Sequence, residues 1–299
     1  MRILHIWDQA GVACILAKYQ RLQGHQSKVI RISGQDKFGI YSFYKEYVFD
    51  VKVDGFAEKC IQEAKSADVV HIHSRIDILL KLRENFGRSK KIILHYHGTD
   101  IRGLKRQKLP HRSRLSDLVI RSKIIYRKIR EKILLKKQIH IKAQRLADAV
   151  IVSTPDLLQL VMKGSRYLPN PVDTDHFKPR AVLRNEQKDA LTIDTEVTDI
   201  PWALNYSKKH GINLDIEVYD RIKDPIIYAY MPDFLRKYKV YVDIRYVNER
   251  ILENLSKTAL EALACGLKVL DYKLDYCQGL PAEYDPLNVT SSLSTIYVK

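Results

Sequence analysis

Two glutamates eight residues apart, Glu253 and Glu261, stand in the stretch E-N-L-S-K-T-A-L-E-A-L-A-C-G over residues 253–266. Asn254 can cap a helix by accepting a first-turn N–H. Leu255, Ala259, Leu260, Ala262 and Leu263 supply an apolar stripe, and Gly266 closes the helix. Glu253 then lies just outside the N-terminus and Glu261 about two turns inside, roughly 12 Å away along the axis. That is close to the reach of a nucleotide sugar from hexose to ribose. The free N–H groups of the first turn lie between the two carboxylates, where a diphosphate would sit. Spacing alone does not separate this from a chance pair of glutamates, so the surrounding elements must decide.

Two histidine pairs, His71 with His73 and His95 with His97, each read H-x-H at the end of an apolar run. On a strand this spacing puts both imidazoles on one face, which a metal could use. No third ligand has matching spacing, and the reading adopted is no metal. His97-Gly98-Thr99-Asp100 leaves its strand through a glycine turn, where an imidazole and a carboxylate can face a cleft. Gly11, in the loop after the first strand, lets backbone approach a ligand, or is a plain turn glycine. No G-x-G-x-x-G follows that strand.

Strands are predicted at 2–7, 28–32, 47–53, 68–73, 91–96 and 148–153, with helices at 12–23, 55–65, 76–86 and 114–146. The alternation predicts a parallel sheet covered on both faces, with ligands beyond the carboxyl ends of its strands. A proline-rich connector, 166–179, leads to a second, smaller α/β unit. Its strands are expected at 190–194, 214–219, 226–228, 239–244 and 268–272, its helices near 200–209, from Met231 and from Leu255. After about residue 275 only short segments are expected. The boundary falls between 1–170 and 171–299.

The 299 residues suit two domains, and no apolar run approaches the 18 or so residues that span a membrane. Cys14, Cys60, Cys265 and Cys277 are scattered and read as buried thiols in a reducing cytoplasm, neither a disulfide frame nor a zinc site. Net charge is +16, and it is concentrated: residues 102–145 hold 16 Lys or Arg against Asp117 and Glu131, a local +14. Like charges at this density repel unless an anion offsets them. An anionic membrane surface is the expected partner, and nucleic acid the competing but weaker one, since Tyr126, His111 and His140 are the segment's only stacking side chains.

The ordered motifs resemble the retaining GT-B glycosyltransferases, especially glycosyltransferase family 4, over most of residues 1–285. They are A-D-V-V-H-I-H-S (67–74), H-G-T-D-I (97–101), A-D-A-V-I-V-S (147–153), L-P-N-P-V-D-T-D-H-F-K-P (168–179), M-P-D-F-L with Y-K-V-Y-V (231–242), and the paired-glutamate stretch. The resemblance implies two Rossmann-like domains facing across a cleft, the second shortened. It implies transfer of a sugar from a nucleotide-diphosphate donor to a lipid-linked or glycan acceptor at the cytoplasmic membrane surface, with no cofactor or catalytic metal.

By the same resemblance Glu261 would bond the ribose hydroxyls and Glu253 would lie near the transferred sugar. Asn254, Leu255 and Ser256 would present N–H groups to the donor. His97 would contact the sugar with Asp100 supporting its turn, and Gly11 would line the cleft. The family has glycines where this chain has Asn254 and Ser256. Its diphosphate clamp, an Arg and a Lys after the first strand of the second domain, is missing from D-A-L-T-I-D-T-E-V-T-D-I-P (189–201). Lys257, with Arg245 or Arg250, is the expected replacement; otherwise it is a lysine facing solvent. Two other readings stay open: a catalytically degenerate GT-B protein acting as a binding partner, and a nucleic-acid-binding protein using the basic helix.

Overall fold

The computed structural model describes residues 1–34, 36–102, 137–180, 187–195, 198–247 and 249–298. The first unit runs β1 (Arg2–Ile6), α1 (Val12–Leu22), β2 (Gln26–Ile32), α2 (Ile40–Phe43), β3 (Val48–Val51), α3 (Phe56–Ser66), β4 (Val69–His73), α4 (Ile76–Phe86), β5 (Lys91–Tyr96), α5 (Thr99–Arg102), α6 (Lys137–Leu146), β6 (Ala149–Val152) and β7 (Arg166–Tyr167). The second runs β8 (Lys188–Asp194), α7 (Ile200–Lys209), β9 (Ile216–Asp220), α8 (Met231–Leu235), β10 (Tyr238–Val242), β11 (Tyr246–Val247), β12 (Arg250–Ile251), α9 (Lys257–Ala264), β13 (Lys268–Leu270) and β14 (Tyr276–Gln278). A final helix, α10, covers Pro286–Val298.

The first sheet is parallel throughout in the order β3-β2-β1-β4-β5-β6-β7. Its central strands are buried on both faces, which is why β4 and β5 read as unbroken apolar and histidine runs. The chain order reverses between β1 and β4, so the loops after these strands open the crevice where such sheets take ligands. The second sheet runs β14-β13-β10-β8-β9, parallel except for β14. Apolar contact joins the two units: Ala13, Cys14 and Tyr44 share one core with Leu191, Tyr228, Met231 and Leu263. Within it the buried Asp173 carboxylate accepts from Lys18 at 2.7 Å, Tyr19 at 3.0 Å and Tyr44 at 2.7 Å, which fixes the connector on the first unit.

Four expectations are corrected. The strand at 226–228 is a 3-10 turn over Tyr228–Tyr230, because the Tyr228 N–H is spent on Phe38 of the first unit at 2.7 Å. The paired-glutamate helix starts two residues late. Ser256, not Asn254, is the cap, its hydroxyl accepting the Ala259 N–H at 3.0 Å, while the Asn254 amide donates to the Leu255 carbonyl at 3.1 Å. The chain after residue 275 adds a strand and a 13-residue helix. That helix has no charged face to betray its period, but Val289, Leu293, Ile296 and Tyr297 form a buried stripe against Ile3, Leu16, Val69 and Ile151 of the first unit. Finally, the hairpin β11–β12 occupies a stretch where no element was expected.

The long helix expected over 114–146 is helical at Lys137–Leu146, and most of the basic segment lies outside the described residues. Among the described residues no helix is long and apolar enough to cross a membrane. Gly266 ends α9 as expected, at φ 90°, with the Leu267 N–H returning to the Ala262 carbonyl at 3.0 Å.

Candidate active site

The loop after β1 is tightly wound. Trp7, Ala10 and Gly11 all have positive φ, at 70°, 55° and 81°. The Asp8 carboxylate holds it by accepting the N–H groups of Gly11 at 2.8 Å and Ala13 at 2.6 Å, so it caps α1 from inside the loop. Burial pushes the Asp8 carboxyl up; Lys257 and these two N–H groups pull the other way. A Cβ on Gly11 would meet Ile40 Cγ2 at 3.1 Å and Lys257 Nζ at 3.3 Å. The loop of the first unit therefore touches the first residue of α9 in the second.

Lys257 does not face solvent: its side chain is 13% exposed. Its ammonium donates to the Ala10 carbonyl and lies 3.8 Å from Glu261. Glu261 is buried one turn further along α9, its carboxyl pushed up by burial against the opposing pull of Lys257 and Arg221. Arg221, just past β9, stacks on Phe38 of the first unit at 4.0 Å, and its Nε is buried without a partner. Lys257 and Arg221 are thus the two cations beside Glu261, whereas Arg245 turns to Asp243 at 3.3 Å and to the Asn254 carbonyl. Arg250 is 4.0 Å from Asp156.

The amino end of α9 already holds a carboxyl group. Asp243, buried just past β10, accepts the Ser256 N–H at 2.7 Å. Burial raises its carboxyl, opposed by Arg245 and Ser256. Of the expected N–H donors, Ser256 is therefore engaged; Leu255 packs its side chain on the shared core, and Glu253 is exposed.

Across the cleft, Asp100 accepts the N–H groups of His97 at 2.9 Å, Gly98 at 2.7 Å and Ile101 at 3.0 Å, as well as the Ser74 hydroxyl. This is the supporting role expected for it, and it lets Gly98 adopt φ 123°. Both His97 nitrogens point into the protein: Nε2 meets His73 Nδ1 at 2.9 Å and Nδ1 meets Ser153 Oγ at 2.8 Å. Burial lowers the His97 imidazole to about 4, with Asp100 opposing and Lys257 adding to the shift. His71, His73 and His95 are buried and held well below the usual imidazole range by the same cause. Nitrogen atoms of His5, His71 and His73, and of His73, His95 and His97, come within 4.8 Å of one another. A metal there would have to displace hydrogen bonds that already join these rings.

Two hollows lie between the units. One of about 230 Å³ is lined by His97, Arg102, Thr192, Asp243, Arg245 and Ser256. The other, about 790 Å³, is lined by Ala10, Asp36, Phe38, Tyr41 and Arg221. Gly11, Lys257 and Glu261 come together between the units, and His97 and Ser256 share the smaller hollow. Glu253 joins neither lining. Sequence reasoning missed Asp8 and Asp243, although each stands just past a buried strand, at the carboxyl edge where ligands gather. It also missed Arg221 and Asn170, whose Oδ1 is buried without a partner; only their folded surroundings distinguish them.

No family model matches the sequence, and no curated protein is similar to it. Among solved structures, the chain is similar to an alpha-glucosyltransferase in complex with UDP and a 13-mer DNA containing an A:G mismatch. The TM-score is 0.55 at 13% identity, covering 99% of this chain and 89% of that one. An alpha-glucosyltransferase with UDP and a 13-mer DNA containing an HMU base matches at TM-score 0.56 and 14% identity, covering 100% and 90%. The architecture is GT-B: two Rossmann-like units facing across a cleft, the second with the smaller sheet.

Proposed function

We propose that this chain is a glycosyltransferase of the family 4 type, moving a sugar with retention from a nucleotide-diphosphate donor to a lipid-linked or glycan acceptor. The observation that carries the reading is the meeting of Glu261 and Lys257, on α9, with the Gly11 loop of the opposite unit. In this reading Glu261 takes the ribose hydroxyls. Lys257 moves from the Ala10 carbonyl to the diphosphate, with N–H groups of Asn254 to Ser256 nearby. His97 and Glu253 flank the transferred sugar, Asp100 holding the His97 turn.

The bond from the anomeric carbon to phosphate breaks, and the acceptor oxygen bonds to that carbon from the same face. The acceptor's proton goes to the leaving phosphate. Lys257 offsets the developing charge without a metal. We further propose that the protein works in the cytoplasm at the inner membrane face, bound through residues 102–145. DNA is a second acceptor class, favoured by one observation: the two structures named above each hold UDP together with a 13-mer DNA.

The test is titration with UDP- and GDP-sugars, followed by nucleotide release in the presence of chelator. Glu261→Ala is expected to weaken donor binding about 10- to 100-fold, the loss of roughly 1.5–3 kcal/mol from charged hydrogen bonds. Chelator is expected to change nothing. A folded protein that binds none of the sugar nucleotides would end the proposal. Binding without release on any acceptor would leave only the non-catalytic partner.

A further inference from the structure

Eight side chains of the first unit and α10 close a hydrogen-bonded circuit beneath the cleft. In order, Gln20 Oε1 meets His5 Nε2 at 2.8 Å, His5 Nδ1 meets His73 Nε2 at 3.0 Å, and His73 Nδ1 meets His97 Nε2 at 2.9 Å. His97 Nδ1 meets Ser153 Oγ at 2.8 Å, which meets His95 Nε2 at 3.0 Å; His95 Nδ1 then meets His71 Nε2 at 3.2 Å. His71 Nδ1 meets the Tyr297 hydroxyl at 2.7 Å, and the circuit returns through Gln20 Nε2 at 3.3 Å.

Counting protons decides the state of every ring. A neutral imidazole has one N–H and one bare nitrogen, and a hydroxyl donates once. The Gln20 amide oxygen accepts, from His5 and from the Ser27 hydroxyl at 2.7 Å. His5 therefore donates from Nε2 and accepts at Nδ1, so His73 must donate from Nε2. The same step repeats through His97. Ser153 then donates to His97 Nδ1 and accepts from His95 Nε2, His95 accepts from His71 Nε2, and Tyr297 donates to His71 Nδ1. Tyr297 finally accepts from the Gln20 amide nitrogen, and the count closes with no bond left without a proton and none holding two. A second proton on His5, His73 or His95 would place two ring N–H donors face to face.

We infer that all five imidazoles are neutral Nε2–H tautomers set as one unit, and that Gln20 and Tyr297 fix the tautomer presented by His97 beneath the cleft. Reversal requires every ring to carry its proton on Nδ1 instead, with the two hydroxyls and the Gln20 amide turning over together. Gln20 and Tyr297 are positioning residues, since neither touches the cleft. His97 enters the cleft with its proton committed to His73 and its lone pair committed to Ser153. Its meaning for transfer rests on the function proposed above; the tautomers do not, and they are read without any substrate.

Histidine-¹⁵N spectra of the full chain at pH 7.5 provide the test. Five Nε2–H tautomers are expected for these residues. A single Nδ1–H or imidazolium among the five would overturn the inference. Tyr297→Phe and Gln20→Leu open the circuit from two different helices. The two substitutions combined, if the backbone spectrum stays folded, should give two tautomers at His97, three links from Gln20 and four from Tyr297. An unchanged His97 in the folded double variant would show that the rings are set singly and overturn the coupling.

Discussion

Gly11 shows how much one position can carry. Its φ of 81° belongs to the left-handed region, and a methyl group there would press on Ile40 and on the Lys257 ammonium. Gly11→Ala should therefore cost about 1–2 kcal/mol from the backbone alone, read as a lower urea midpoint with an unchanged slope. A loss under half of that would mean the loop relaxes freely and does not hold Lys257. The glycine was legible as a candidate because it follows a strand, but its neighbour was not: Lys257 reaches the adjoining Ala10 carbonyl across 247 positions. The Asp100 turn was legible in part: carboxylate, glycine and strand end lie within four residues, but the expected outward-facing imidazole turns both nitrogens inward and Ser74 joins from another strand end. Lys257 shows the limit. Its helical position could be read, while its direction depends on how two separately folded units meet.

At the scale of elements, β1, β4 and β5 line up imidazoles that the fold keeps uncharged. Burial, with smaller effects from His5 and His97, holds His71 far below its ordinary value. The unfolded chain protonates this ring near pH 6.5 while the folded protein resists, so the ring's contribution to stability is complete above that pH and lost as pH falls below it. His71→Gln does not titrate. Its cost relative to wild type should be greatest above pH 6.5 and should shrink by about 2 kcal/mol by pH 5. Denaturant melts at pH 5, 6, 7 and 8 measure this; a gap constant across the series would mean that His71 is not held neutral. The H-x-H spacing correctly placed each pair on one face of its strand. It could not supply the partners, because Gln20 and Tyr297 come from helices 277 positions apart.

For the whole molecule, the parallel first sheet was legible because buried strands and amphipathic helices alternate strictly through the first half, while the strand order came only with the fold. The second half was harder to read. Its strands are short, one expected strand is a turn that bonds across the units, and the last helix lacks polar punctuation. The +16 charge also belongs to this scale, since most of it sits in one segment of sequence. Vesicles containing phosphatidylserine should co-float the protein at low salt and release it as salt rises past the Debye regime. Duplex DNA offered in competition should leave that flotation intact. Transfer of the protein to the DNA would reject the lipid surface and favour the nucleic-acid acceptor.

The return of α10 to the first unit also sets a timetable. Residues 1–167 contain every strand of the first sheet, yet Tyr297 and the stripe that covers α1 are translated some 130 residues later. At about 5–20 residues per second, the 130 residues between Tyr167 and Tyr297 take roughly 6 to 26 s to make. Throughout that interval the nascent sheet has its histidines in place and one greasy flank open. A cell making this protein must shelter that flank until the chain's last helix arrives.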